Sequence, residues 1–186
     1  MRLLWILSLV LLSTGPIPAQ QSPVAPLPSD FISFVGLKYG DTADQIFKVL
    51  GTADRVDKFS DYSVASYSTG LSIFTDNKTK LIYKIILAAY MDDTTAVKRV
   101  APLDPKVSAL FGQSMSSVIG MLGTPAFPLP EPVGESRDWP FVGPQEQRGR
   151  LHLEFRKPSV VKPHEKPEPM NDKIVVRWDY PNVSED

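Results

Sequence analysis

The chain has two histidines, His152 and His164, so any acid–base or metal chemistry that uses an imidazole must centre on them. His152 stands two residues before Glu154 in a stretch that alternates apolar and polar side chains. On a strand, residues two apart project from one face, as an acid/base pair or half of a metal site would need. Arg177 and Asp179 alternate in the same way in a later stretch. A small hydrolase built on His152, Glu154, Arg177 and Asp179 is therefore one reading. The other is a solvated cross-strand charge set, the usual outer face of a one-sided antiparallel sheet. His164 lies in Lys162-Pro-His-Glu-Lys-Pro-Glu-Pro, a loop composition, and would share a site with His152 only if that loop folded back. Asp92-Asp93 reads as the start of a loop. There is no Gly-rich phosphate loop, nucleophile elbow or metal-spaced histidine motif. With no cysteine in the chain, thiolate metal sites, a cysteine nucleophile and disulfides are excluded as well. The expectation is a protein with no cofactor, no metal and no catalytic constellation.

A second set of residues suggests contact rather than catalysis. Alternation in the predicted strands of the first half puts Leu71, Ile73, Leu81, Tyr83 and Ile85 on the core side. It puts Ser72, Phe74, Ile82, Lys84 and Ile86 on the other side. Phe74, Ile82 and Ile86 together would make an apolar strip on a face that should be polar. The strip is either covered by another part of the chain or is a partner-binding surface. Tyr67, and in the second half Trp139 and Phe141, are aromatic candidates for interface anchors, with core packing as the alternative. Asn77 and Asn182 head Asn-x-Ser/Thr sequons.

These residues need elements to position them, and an internal repeat supplies the frame. Gly40-Asp-Thr-Ala-Asp-Gln-Ile-Phe-Lys-Val-Leu-Gly51-Thr52 is echoed by Gly112-Gln-Ser-Met-Ser-Ser-Val-Ile-Gly-Met-Leu-Gly123-Thr124. Thr42 and Ser114 stand at helix N-cap positions, with Gln45 set to complete a capping box. Ile46, Val49 and Leu50 share one helical face, as do Val118, Met121 and Leu122. Gly51 and Gly123 can end each helix in a left-handed turn. A second short helix is predicted ahead of each copy. One is capped by Asp30 before Phe31, Ile32, Phe34 and Val35; the other is capped by Asp104 with Pro105 at its first position. Strands follow each copy, over 62–68, 71–75 and 81–87, and then 138–142, 150–156 and 173–180. The expected fold is α+β: two tandem units, each two short helices packed on a three- to four-stranded antiparallel sheet.

The ends and seams complete the plan. Met1-Arg2, the apolar run Leu3 to Leu12 and then Ser13-Thr-Gly-Pro16 have the order of a secretory signal peptide, expected over 1–20. The run is too short for the roughly 20 residues that span a bilayer. Proline, of which there are 18, marks a tether over 21–29, a linker over 92–103 and a long hairpin loop over 157–172. The first unit is then 30–91 and the second 104–181. A formal net charge of -1 gives no basic excess to attract nucleic acid or an anionic membrane.

Phe34, Leu37, Gly40, Thr42, Ile46, Leu50 and Gly51, with Tyr67-Ser-Thr-Gly70-Leu71 before a strand, form a pattern that resembles two groups. These are the SmpA/OmlA (BamE-like) outer-membrane assembly lipoproteins and the secreted beta-lactamase-inhibitor proteins. Gly112, Ser114, Val118, Leu122 and Gly123 repeat it, as the tandem units of the inhibitors would. The lipoproteins' anchoring cysteine and the inhibitors' disulfides have no counterpart here. The resemblance implies an exported, periplasmic or extracellular module that binds another protein or an envelope component without inserting stably in the membrane.

Overall fold

The computed structural model describes residues 27–88, 100, 102–128, 135–156, 168–181 and 183. The expected signal peptide, Asp92-Asp93, His164 and Asn182 lie outside the described residues, as do most of the tether, most of the linker and the loop up to 167.

The chain enters through a 3-10 turn, Pro28–Ile32, in which the Asp30 carboxylate accepts from the Leu27 N–H at 2.8 Å. A minimal hairpin follows, β1 (Ser33–Phe34) and β2 (Leu37–Lys38). Its tip is Val35-Gly36, both with positive φ. Phe31, Phe34, Val35 and Leu37 are all fully buried. A helix would have turned Leu37 away from Phe31 and Val35, whereas the tight hairpin buries all four. The helix expected after Asp30 is therefore absent.

Both Gly-to-Gly segments are helices. Helix α1 spans Ala43–Leu50, and Gly51 closes it at φ 76°. In the second half α2 (Pro105–Leu110) begins at Asp104, and α3 (Met115–Leu122) ends at Gly123 with φ 81°. The two N-caps differ. Ser114 accepts from the Ser117 N–H at 3.3 Å, but Thr42 makes no side-chain cap bond. Instead the Ala43 N–H donates to the Lys80 carbonyl at 3.0 Å, which ties α1 directly to the sheet.

The strands are β3 (Arg55–Lys58), β4 (Tyr62–Ser66), β5 (Leu71–Asp76), β6 (Ile82–Ala88), β7 (Phe127–Pro128), β8 (Glu135–Val142), β9 (Arg148–Arg156) and β10 (Met170–Asp179). They form one antiparallel sheet in the order β3-β4-β5-β6-β10-β9-β8-β7. This corrects the expected fold class: there are not two units of two helices, each on its own sheet. The first half has a single α-helix among the described residues, and sheet dominates. The physical reason lies in the last strand of each half. Left apart, β6 and β10 would each expose an apolar edge ready to pair. They pair with each other instead, from Lys173↔Ala88 to Arg177↔Lys84. The outer edges carry their own protection, with Arg55, Asp57 and Lys58 on β3 and Pro128, which has no N–H to offer, on β7.

The described α-helices pack on one side of the sheet. There Ile73, Ile85, Leu87, Leu151, Leu153, Ile174 and Val176, each fully buried, join Ile46, Val107, Leu110, Val118 and Leu122 in one core. The Trp178 indole closes it, donating to the Phe31 carbonyl at 2.8 Å. Among the described residues no helix is long and apolar enough to cross a membrane.

Candidate binding face

Among the described residues no helix packs on the second face of the sheet. Register shows what lines it. One row runs Asp57, Val64, Phe74, Lys84, Arg177, Arg150 and Pro140 across β3 to β8. The next runs Ser66, Ser72, Ile86, Val175, His152 and Asp138.

A β-bulge alters the first half of this face. Phe74 pairs with Lys84 but Thr75 pairs with Ile82, so Tyr83 is the extra residue and alternation slips by one. Ile82 is thereby turned into the core, where it is fully buried, and it leaves the predicted apolar strip. Tyr83 takes its place beside Phe74, with the ring centroids 6.3 Å apart, but its side chain is buried. Tyr62 lies 5.9 Å from Phe74, and Phe59 stacks on Tyr62 at 4.7 Å. The Lys84 ammonium sits over the Phe74 ring at 4.2 Å, a cation–π contact. Four rings thus run in contact, from Phe59, which is half exposed, to Tyr83, which is buried.

The other predicted contact residues divide. Phe74 and Ile86 lie on the open face, both half-buried. Tyr67, Trp139 and Phe141 belong to the core side, which corrects their reading as interface anchors. Tyr67 donates its hydroxyl to the Gly51 carbonyl at 3.1 Å, and the Trp139 indole donates to the Gly123 carbonyl at 2.9 Å. Each helix of the repeat is therefore held at its glycine end by an aromatic donor from the sheet, and burial, with the nearby Asp54 charge, pushes the Tyr67 hydroxyl up. Phe141 is packed in the core beside them. The sequon residue Asn77 is tied into its turn, accepting from the Ser63 hydroxyl at 2.7 Å and donating to the Phe59 carbonyl at 2.8 Å.

His152 and Glu154 do lie together on the open face, but they are engaged by neighbours. His152 Nδ1 is 2.8 Å from Asp138 Oδ1 and its Nε2 is 3.7 Å from Glu154. Lys173 holds Glu154 at 2.7 Å. These side chains border a groove of about 440 Å³ that Glu135, Ser136, Arg156 and Asp172 also line. Asp172 is the residue bulged out between Asn171 and Lys173. Burial pushes its carboxyl up, while Arg156, at 3.0 Å, pulls it down. Arg177 and Asp179 sit in other rows and complete no acid–base set with His152. Among the described residues no hydroxyl hydrogen-bonds to His152, and no group of three His, Asp or Glu side chains is placed to hold a metal.

No protein-family model, no curated protein and no solved structure matches this chain. The open face must therefore be read from its own chemistry. Sequence reasoning missed Phe59, Tyr62 and Tyr83. Tyr62 and Val64 alternate with Phe74 in a way that pairing of β4 with β5 could have revealed, but the bulge at Tyr83 has no signature in residue type.

Proposed function

We propose that this chain is an exported, non-catalytic binding module, periplasmic or extracellular, that holds a protein or envelope component on the open face of its sheet. The observation that carries the reading is the aromatic run Phe59, Tyr62 and Phe74, continued by Ile86 and Val175, on the face that no described helix covers. Contiguous apolar and aromatic surface on a sheet is the usual mark of a contact site. The repeat's resemblance to BamE-like lipoproteins and beta-lactamase inhibitors supports an envelope setting and a scaffold that binds by surface rather than by pocket. Replacing Phe74 and Ile86 together by Ser should abolish capture of a partner from native envelope extract while leaving the circular dichroism spectrum unchanged. Capture that survives the double change would overturn the reading.

A second reading, a small hydrolase around His152, draws on the short Asp138–His152 contact, which orients an imidazole as a general base requires. It predicts a turnover that His152→Ala abolishes without lowering the melting temperature. The carboxylates beside both ring nitrogens favour the structural role, a cross-strand charge set that fixes register.

A further inference from the structure

Where β8 begins and β9 ends, the groove beside His152 holds more hydrogen-bond acceptors than its neighbours supply with donors. Its volume of about 440 Å³ falls in the range of ligand pockets, roughly 300 to 1,000 Å³. Glu135, Glu154 and Asp172 all line it. Lys173 reaches Glu154 Oε1 at 2.7 Å, and Arg156 reaches Asp172 Oδ2 at 3.0 Å. Among the described residues Glu154 Oε2, Asp172 Oδ1 and both oxygens of Glu135 have no donor. Asp172 is the telling member, because it is 8% exposed and its Oδ1 is shut from water. A buried carboxylate with one oxygen unmet lowers stability, so folding alone gives no reason to keep it. The β-bulge between Asn171 and Lys173 puts it at the groove, and bulges often re-aim side chains beside functional sites. The Arg156 side chain that holds it is 59% exposed, free to swing out and leave the carboxylate to another donor.

We propose that this groove binds a guanidinium group, carried by a small free molecule or by an arginine of a bound protein, with Asp172 and Glu135 as its acceptors. The groove sets three carboxylates against two cations, so an anion is disfavoured there. Among the described residues no three His, Asp or Glu side chains are placed to hold a metal ion, so a compact cation would leave most of the spread acceptors unmet. A guanidinium presents five N–H donors in one plane and meets a carboxylate with paired bonds. It is also more weakly hydrated than an ammonium, which suits a carboxylate as buried as Asp172. Arg156 Nε on Asp172 Oδ2 is the same match made within the chain. The site uses none of Phe59, Tyr62 or Phe74, so it stands or falls apart from the binding-module reading.

The test is titration of the whole protein with agmatine, followed by amide shifts in nitrogen-15 NMR. Saturable shifts should centre on Glu135, Glu154 and Asp172, and n-butylamine, which lacks the guanidinium, should bind at least about fivefold more weakly. Glu135→Gln and Asp172→Asn should each weaken agmatine at least about fivefold, and added salt should weaken it further. The thermal midpoint of D172N should hold, because burial disfavours the charge that it removes. Arg156→Gln takes away the internal competitor and should tighten agmatine at least about threefold, a gain that a misfolded variant could not show. A blocked Gly-Gly-Arg-Gly-Gly peptide that binds at least about tenfold tighter than agmatine assigns the group to an arginine of a bound protein; one that binds no tighter assigns it to a small free molecule. Shifts that do not saturate, or an affinity unchanged in both E135Q and D172N, would overturn the site. Equal binding of n-butylamine, or displacement of agmatine by calcium, would overturn the guanidinium assignment. Partner capture that survives F74S/I86S would sink the binding-module reading and leave these titrations unchanged.

Discussion

Asp104 shows how one side chain can join two halves of a chain. Its Oδ1 accepts from the Lys106 N–H at 3.0 Å and caps α2, while its Oδ2 accepts from the Val35 N–H at 2.9 Å, across 69 residues of sequence. Lys106 completes the junction, donating to the Asp30 and Ser33 carbonyls. Asp104→Ala removes a cap and strands a buried N–H, so it should cost about 2 to 4 kcal/mol in denaturant titration. Asn, which keeps an acceptor, should recover part of that. A neutral Asp104→Ala would mean that the Val35 bond does not form. Tyr180 is a second such residue, accepting from the Gly40 N–H at 2.8 Å. Burial pushes its hydroxyl up to about 12, despite the opposing hydrogen bond from Gly40. An unfolded tyrosine titrates near ~10, so the fold favours the protonated phenol. That contribution is complete below pH ~10 and is lost as pH rises towards about 12. Tyr180→Phe should therefore flatten the alkaline limb of a stability–pH curve in that window, and an unchanged slope would refute the assignment.

Elements differ in how much of them the sequence displays. The two repeat helices were legible because capping residues, apolar spacing and terminal glycines agree within each short segment. Their burial is unequal: Leu122 is 7% exposed, but Leu50 only packs against the margin of the core. Leu122→Ala should thus cost about 2 to 5 kcal/mol and Leu50→Ala roughly 1 to 2, a difference that urea midpoints would resolve. Equal costs would contradict the packing described. Strand β3 was missed because Arg55, Asp57 and Lys58 carry no apolar alternation, being an edge that repels further pairing. The bulge at Tyr83 is invisible for another reason. It depends on how β5 and β6 are registered against the Asp76–Lys80 turn, where Asp76 accepts from the Lys78 and Thr79 N–H groups. One inserted residue moved Ile82 from the predicted surface into the core, and so removed one of the three residues of the predicted contact strip. The charged set at His152 and Glu154 was legible as a face, since no bulge interrupts β9 between them. Asp138 as the partner of His152 was not, because the β8–β9 register sets it.

At the scale of the whole molecule the decisive bond is between strands that are far apart in sequence. Local pattern could suggest two sheets, but it could not show that β6 and β10 would pair, since both read as ordinary half-buried strands. The pairing makes the halves share one core, with Ile174 opposite Leu87 and Val176 opposite Ile85, all four fully buried. Asp104 and Trp178 add bonds that cross the same divide. A molecule joined in this way should unfold as one cooperative unit. Ile174→Ala, which leaves a cavity at the seam, should cost about 2 to 5 kcal/mol and lower amide-exchange protection in β4 and β5 by as much as in β8 and β9. If protection fell only in the second half, the seam would be an interface between two independently stable bodies.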